Sequence, residues 1–174
     1  MSVNSSTRLN DVDLGAVTGL VGAIQENPET ANTTWSAEVR WTGGFRSEAH
    51  VREFAPVASD EPAALGGTDS APNPVEQLLG SLGNCLAVGY AANASVAGIA
   101  LRDLRIELAG DVDLHAFLGL REGHAGFDGI RVSVHLDSDA PDDALEALHA
   151  KVIGSSPVGH TLSRAIPVEV DLVT

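Results

Sequence analysis

One long apolar segment near the middle of the chain, residues 78–101, constrains the fold most strongly. Four glycines and several serines and asparagines interrupt it, so it is too polar to span a bilayer. Directly before it, Asn73 suits a helix N-cap, Pro74 suits the first helical position, and Glu76 completes a capping box. The sequence therefore predicts a long buried helix from Pro74 to about Ala97.

The first part of the chain predicts a separate, peripheral element. Residues 10–25 carry apolar positions at helical spacing, with Asn10 as a possible N-cap. A polar connector from Glu26 to Thr34 follows and shows no periodicity. We therefore expect an N-terminal helix and connector over residues 1–34, and a main domain over residues 35–174.

Strand patterns lie on both sides of the central helix. Residues 35–41 and 45–54 favour strands, and Gly43-Gly44 between them suits a hairpin turn. Period-two alternation recurs at three later segments, which are Leu104–Leu108, Ile130–Leu136 and Val168–Val173. A second helix is predicted over Pro141–Ile153, begun by Ser138 or Asp139. This order predicts an α+β fold with a mostly antiparallel sheet packed on a long central helix.

The composition of the chain limits the cellular compartments and the classes of partner that we expect. The 174 residues are 44% hydrophobic, which is enough for one core that needs no disulfide or metal. The formal net charge of -14 would repel nucleic acid and anionic membranes. The chain has a single cysteine, and Met1–Asn10 lacks the pattern of a signal peptide. We expect a cytoplasmic protein that binds neither nucleic acid nor membranes.

Cys85 is the main candidate for a chemically reactive side chain. A free cysteine in an apolar helix, however, is normally a small buried hydrophobe. The six histidines do not pair at metal-ligand spacing, so no metal is expected. The glycine-rich loop before Asn73 lacks the lysine and the spacing of nucleotide sites, so no cofactor is expected. No nucleophile elbow is present, and Ser155-Ser156 before Pro157 first indicates a turn or the cap of a short helix.

Two motifs resemble those of a known family. The first surrounds Cys85 and comprises Asp60-Glu61-Pro62, Leu65–Asp69, Ala71–Leu79 and Leu82–Leu86. The second comprises Ser156-Pro157-Val158, Thr161–Arg164 and Pro167–Val170. Together they are similar to the thiol motif, the Cys-Pro-Val motif and the final strand of the OsmC and organic hydroperoxide resistance (Ohr) family. Ser156 stands where that pattern has its second cysteine.

The resemblance implies an intertwined homodimer with thiol sites at the subunit interface. In the hydroperoxide-reducing branch, the first cysteine attacks the peroxide and the second resolves the sulfenic acid as a disulfide. Here Cys85 occupies the attacking position, and Ser156 cannot form a disulfide, so turnover would need an external thiol. The family uses an arginine from the opening strands to hold the thiolate, for which Arg46 is the first candidate and Arg52 the second.

A glutamate of the Ohr branch lies ten positions before its cysteine, where this chain has Val75. Glu76 lies nine positions before Cys85, which resembles the broader OsmC-like branch. In a continuous helix that spacing is roughly 13 Å along the axis, so Glu76 would act on Cys85 only across a dimer or a bend.

Three functions remain open at this point. The first is a one-cysteine, peroxiredoxin-like hydroperoxide reductase for small or fatty-acyl hydroperoxides, with Cys85 as nucleophile. The second is a non-catalytic protein that binds a small apolar molecule or lipid and has lost the second cysteine. The third is a purely structural role with an unreactive thiol.

Overall fold

The computed structural model describes residues 8–174, and residues 1–7 of the predicted N-terminal segment lie outside this range. The described chain forms two compact units. The first contains the described residues up to Leu14 together with Ser81–Thr174, and the second contains Gly15–Gly80. Every strand pair in the described chain is antiparallel, which confirms the predicted α+β class. The expected start of the main domain at residue 35 stays a prediction.

Seven strands and five α-helices occur within residues 8–174. The strands are β1 (Arg8–Leu9), β2 (Val12–Asp13), β3 (Glu38–Gly43), β4 (Arg46–His50), β5 (Val57–Ser59), β6 (Asp103–Val112) and β7 (Phe127–Asp137). The α-helices are α1 (Leu14–Glu26), α2 (Pro74–Val96), α3 (Leu114–Phe117), α4 (Asp142–Ile153) and α5 (Pro157–Leu162). Short 3-10 helices cover Pro28–Ala31 and Ala63–Leu65.

Asn10 does not cap the N-terminal helix, so that part of the prediction was wrong. Asn10 and Asp11 form the turn between β1 and β2 with φ of 52° and 58°, and α1 begins only at Leu14. The Asn10 amide donates to Ile99 O at 2.9 Å, and Leu101 N donates to Asn10 Oδ1 at 2.8 Å. The side chain therefore satisfies backbone groups after α2, which is a tertiary role that local helix spacing does not reveal.

The second unit contains the predicted hairpin. β3 pairs with β4 and β4 pairs with β5, giving a three-stranded antiparallel sheet in the order β3-β4-β5. Gly43 and Gly44 both have positive φ, of 109° and 61°, as the turn requires. The indole of Trp41 donates to Gly44 O at 2.8 Å and closes the turn. The two-glycine signal thus located the turn correctly.

Asp60 organises the loop that precedes α2. Its carboxylate accepts hydrogen bonds from the backbone and hydroxyl groups of Thr68 and Ser70 and from Glu61 N. The Thr68 hydroxyl is the largest of the influences that hold the pKa of this carboxyl well below its usual range. At Gly67 an added Cβ would lie 1.8 Å from Glu61 O, so the loop has no room for a side chain there. The loop is fixed by these contacts.

The start of α2 follows the predicted capping box. Glu76 N donates to Asn73 Oδ1 at 2.9 Å, and Asn73 N donates to Glu76 Oε2 at 2.8 Å. These reciprocal bonds satisfy backbone donors that an α-helix leaves free at its first turn. The helix then runs without interruption to Val96, one residue before the predicted end.

The core of the first unit lies between α2, α4 and the β6-β7 sheet. Four of its residues, Leu82, Leu86, Tyr90 and Ala94, repeat every fourth position along α2 and form one buried face. A Cβ at Gly83 would lie 2.9 Å from Leu108 of β6, and a Cβ at Gly89 would lie 2.9 Å from Val152 of α4. Elements of the same chain therefore fill the space that these two glycines leave.

Two predictions for the C-terminal half were wrong. Val168–Val173 forms no strand and is exposed, with Val170 at 87% and Leu172 at 90%. A strand needs a hydrogen-bonded neighbour, and this segment pairs with none of the strands in residues 8–174. The second predicted helix is present as α4, but its N-cap is Pro141 rather than Ser138 or Asp139, and the Ser138 hydroxyl instead donates to Ala100 O.

Candidate thiol site

The structure brings Cys85 and Ser156 together. Cys85 lies on α2 and is partly buried, and its Sγ is 3.3 Å from Ser156 Oγ. Ser156 lies between α4 and α5 and is only 5% exposed. The contact joins positions 71 residues apart in the chain, one in each of the two motifs that carry the resemblance.

Local sequence chemistry holds Ser156 in place. Its Oγ accepts a hydrogen bond from Gly159 N at 3.0 Å and so caps α5, while Pro157 occupies the first turn. A Cβ at Gly159 would lie 3.0 Å from Ser156 Oγ, so glycine leaves the space that the hydroxyl fills. The Ser156 side chain thus caps α5, as expected, and also contacts Cys85.

Ser156 borders two cavities. One, of about 420 Å³, is lined by Cys85 together with residues of α2 and α4 that include Asn84, Val88 and Val152. The other, of about 510 Å³, is lined mainly by apolar side chains, among them Leu82, Leu86, Tyr90, Val132, Val134 and Ile153. A small molecule in the first cavity would have access to the thiol.

A buried tyrosine and histidine pair borders the larger cavity and was not anticipated from the sequence. Tyr90 is 1% exposed, and its hydroxyl is hydrogen-bonded to Nδ1 of His149 on α4. The two rings stack with centroids 6.1 Å apart. Burial raises the pKa of Tyr90, so the phenol remains protonated near neutral pH. The four-residue spacing from Leu82 and Leu86 could have placed Tyr90 in the core, but nothing local indicated His149 as its partner.

The other predicted site residues belong to the second unit. Arg46 opens β4 and is exposed. Arg52 has a positive φ of 50°, and its guanidinium lies 4.6 Å from the centre of the Phe54 ring, a cation–π arrangement. Glu76 is engaged in the capping box at the start of α2. The roles of Arg46, Arg52 and Glu76 in thiol chemistry stay predictions.

Within residues 8–174, no group of three or more His, Cys, Asp or Glu side chains is arranged to hold a metal ion. Over the same residues, no helix combines the length and apolarity that a membrane crossing requires.

The fold is similar to those of several solved structures. An OsmC-like protein from Mycoplasma pneumoniae matches with a TM-score of 0.67 and 16% identity, over 76% of this chain and 89% of that one. An organic hydroperoxide resistance protein OsmC from Legionella pneumophila matches with a TM-score of 0.56 and 19% identity, over 75% and 91%. At these identities the similarity shows the fold alone.

Sequence comparisons give the family. No curated protein matches the chain. The sequence model of the family described as OsmC-like protein, however, matches residues 67–171. The matched span includes both Cys85 and Ser156, and it covers more than half of the 174 residues. The chain therefore belongs to the OsmC-like protein family.

Proposed function

We propose that this protein is a thiol-dependent reductase of organic hydroperoxides, with Cys85 as its nucleophile and an external thiol as its reductant. Membership of the OsmC-like family supports a peroxide-related stress protein, as does the similarity of its fold to a hydroperoxide resistance protein. The observation that carries the proposal is the 3.3 Å contact between Cys85 Sγ and Ser156 Oγ, at the two positions of the family's thiol pair.

The reaction would proceed in two stages. The Cys85 thiolate attacks the terminal peroxide oxygen and the O–O bond breaks, so that Cys85 becomes a sulfenic acid and the alkoxide takes a proton from solvent and leaves as the alcohol. An external thiol then condenses with the sulfenic acid, releasing water and forming a mixed disulfide. A second external thiol attacks that disulfide, which returns Cys85 to its reduced form and releases the external disulfide.

Ser156 explains why the reductant must come from outside. A hydroxyl does not form a disulfide, so the internal resolving step of two-cysteine relatives is absent from this chain. The sequence contains one cysteine, so no other internal thiol can replace it. Abundant small thiols keep the cytoplasm reducing, and we propose that compartment as the place of turnover.

We also propose that the working unit is a homodimer. Apolar side chains of α2 remain exposed in the single chain, with Val88 at 69% and Val96 at 55%. The C-terminal segment around Val168–Val173 has strand-like alternation and large exposed apolar residues without a pairing neighbour in the described chain. A second copy would cover such surfaces and supply a sheet edge.

Arg46 is our candidate for the cation that stabilises the thiolate.

Steady-state turnover tests the proposal. We expect the protein to consume cumene hydroperoxide when dithiothreitol or a dihydrolipoyl compound is present, and to stop after one equivalent when no thiol is supplied. The variant Cys85→Ser should lose turnover completely, because it removes the only thiol of the chain. Equal consumption by the wild type and Cys85→Ser, after subtraction of the direct reaction between thiol and peroxide, would contradict the proposal.

A binding function without catalysis is the second candidate. The cavity of about 510 Å³ favours it, because its lining is mainly apolar and it does not include Cys85. Cavities of this kind and size suit small apolar ligands. This candidate predicts that wild type and Cys85→Ser bind the same apolar probe, such as a fluorescent fatty acid, equally well while neither turns over peroxide. Turnover that depends on Cys85 would exclude a purely binding role.

A further inference from the structure

The direction of the hydrogen bond between Ser156 and Cys85 follows from counting donors and acceptors. A serine hydroxyl has one hydrogen to donate and two lone pairs that accept. Gly159 N donates to Ser156 Oγ at 3.0 Å, so the backbone already uses one lone pair. The hydroxyl hydrogen still needs an acceptor, and within the described chain Cys85 Sγ at 3.3 Å is the partner that remains.

Burial makes this assignment stronger. Ser156 is only 5% exposed, so water competes weakly for its hydroxyl hydrogen. If the Cys85 thiol donated to Ser156 Oγ instead, the buried hydroxyl hydrogen would be left without an acceptor, which is unfavourable. Ionisation removes the alternative altogether, since a thiolate carries no hydrogen and can only accept. The geometry is therefore that of a hydroxyl donating to the sulfur, an arrangement that does not change when the thiol loses its hydrogen.

We propose that Ser156 is a positioning residue that donates a hydrogen bond to the Cys85 thiolate and thereby favours the reactive form of the thiol. This inference rests on the proposed function and deepens it. Ser156 therefore has a role of its own at this position. The hydrogen bond from Gly159 N orients its hydroxyl, which donates to the sulfur. Hydrogen bonds to a charged acceptor are stronger than those between neutral groups, so ionisation of Cys85 strengthens the contact.

Three substitutions of Ser156 separate donation from helix capping. Ser156→Ala removes both the hydroxyl donor and the cap. Ser156→Thr keeps both, at a position that borders two cavities. Ser156→Asp keeps a cap acceptor for Gly159 N, but its carboxylate has no hydrogen to donate and repels a thiolate.

The experiment measures the rate at which iodoacetamide alkylates the native protein at neutral pH. Because the chain has a single cysteine, all alkylation that is measured occurs at Cys85. Circular dichroism with urea titration checks the fold of each variant. We expect Ser156→Ala to react about tenfold more slowly than the wild type. Ser156→Thr should stay near the wild-type rate, and Ser156→Asp should be slower than Ser156→Ala.

Several results would overturn the inference. Wild-type reactivity of Ser156→Asp would show that position 156 matters only as a helix cap. An unchanged rate in Ser156→Ala, or a folded Ser156→Thr as slow as the alanine variant, would remove the donor role. If Ser156→Ala does not fold, the comparison of the threonine and aspartate variants decides the question. Alkylation uses no peroxide, so a failure of the proposed function shows separately, as absent turnover in a wild type whose variants still follow this order.

Discussion

Treatment of the Ser156→Cys variant with one equivalent of an organic hydroperoxide will produce a disulfide between residues 85 and 156. Cys85 Sγ and Ser156 Oγ are 3.3 Å apart, and a disulfide bond measures about 2.05 Å, so small side-chain rotations would bring two sulfurs into bonding distance. The peroxide first oxidises Cys85 to the sulfenic acid, and the thiol introduced at position 156 then condenses with it and releases water. Non-reducing peptide mapping detects the link.

The neighbouring serine gives a matched control for this experiment. Ser155 also borders the Cys85 cavity, but its hydroxyl donates to Lys151 O at 2.8 Å and makes no contact with the sulfur among those that the structure describes. We expect Ser155→Cys to form far less of the internal link under the same conditions. Absence of the 85–156 link, or equal linkage from both variants, would mean that the geometry of the thiol site is wrong.

If Arg46 stabilises the Cys85 thiolate as proposed, loss of its guanidinium should slow the reaction of Cys85 roughly tenfold or more. The measurement is the second-order rate of Cys85 oxidation in Arg46→Ala, followed by intact mass. Arg52→Ala is the control, since the Arg52 guanidinium lies over the Phe54 ring and is engaged there. Equal rates for Arg46→Ala and the wild type would remove Arg46 from the site, and slowing only in Arg52→Ala would transfer the role to Arg52.

The parts of the structure that the sequence predicted well depend on local chemistry. Two examples are the capping box of Asn73 and Glu76 and the turn at Gly43-Gly44. The contacts in each lie within a few residues of one another, so the local sequence pattern predicts them. The meeting of Cys85 with Ser156 depends on a long-range approach. Only the resemblance of two distant motifs to one family made that approach predictable.

The parts that were missed depend on partners that the local pattern does not contain. Asn10 has the chemistry of a helix cap, yet its amide binds backbone groups near Ile99. Val168–Val173 has the alternation of a strand, but alternation does not provide the neighbour that a strand requires. The pairing of Tyr90 with His149 arises from the packing of two helices, which the composition of neither helix encodes.

In the function that we propose, Cys85 Sγ is the atom that reduces the peroxide. The most direct test is a single-turnover titration of the reduced wild-type protein with cumene hydroperoxide, with the intact mass and the alcohol product measured together. We predict a gain of one oxygen atom on Cys85, formation of one equivalent of alcohol, reversal by dithiothreitol, and none of these changes in Cys85→Ser. Alcohol formation without modification of Cys85, or an unmodified thiol with intact peroxide, would contradict the claim.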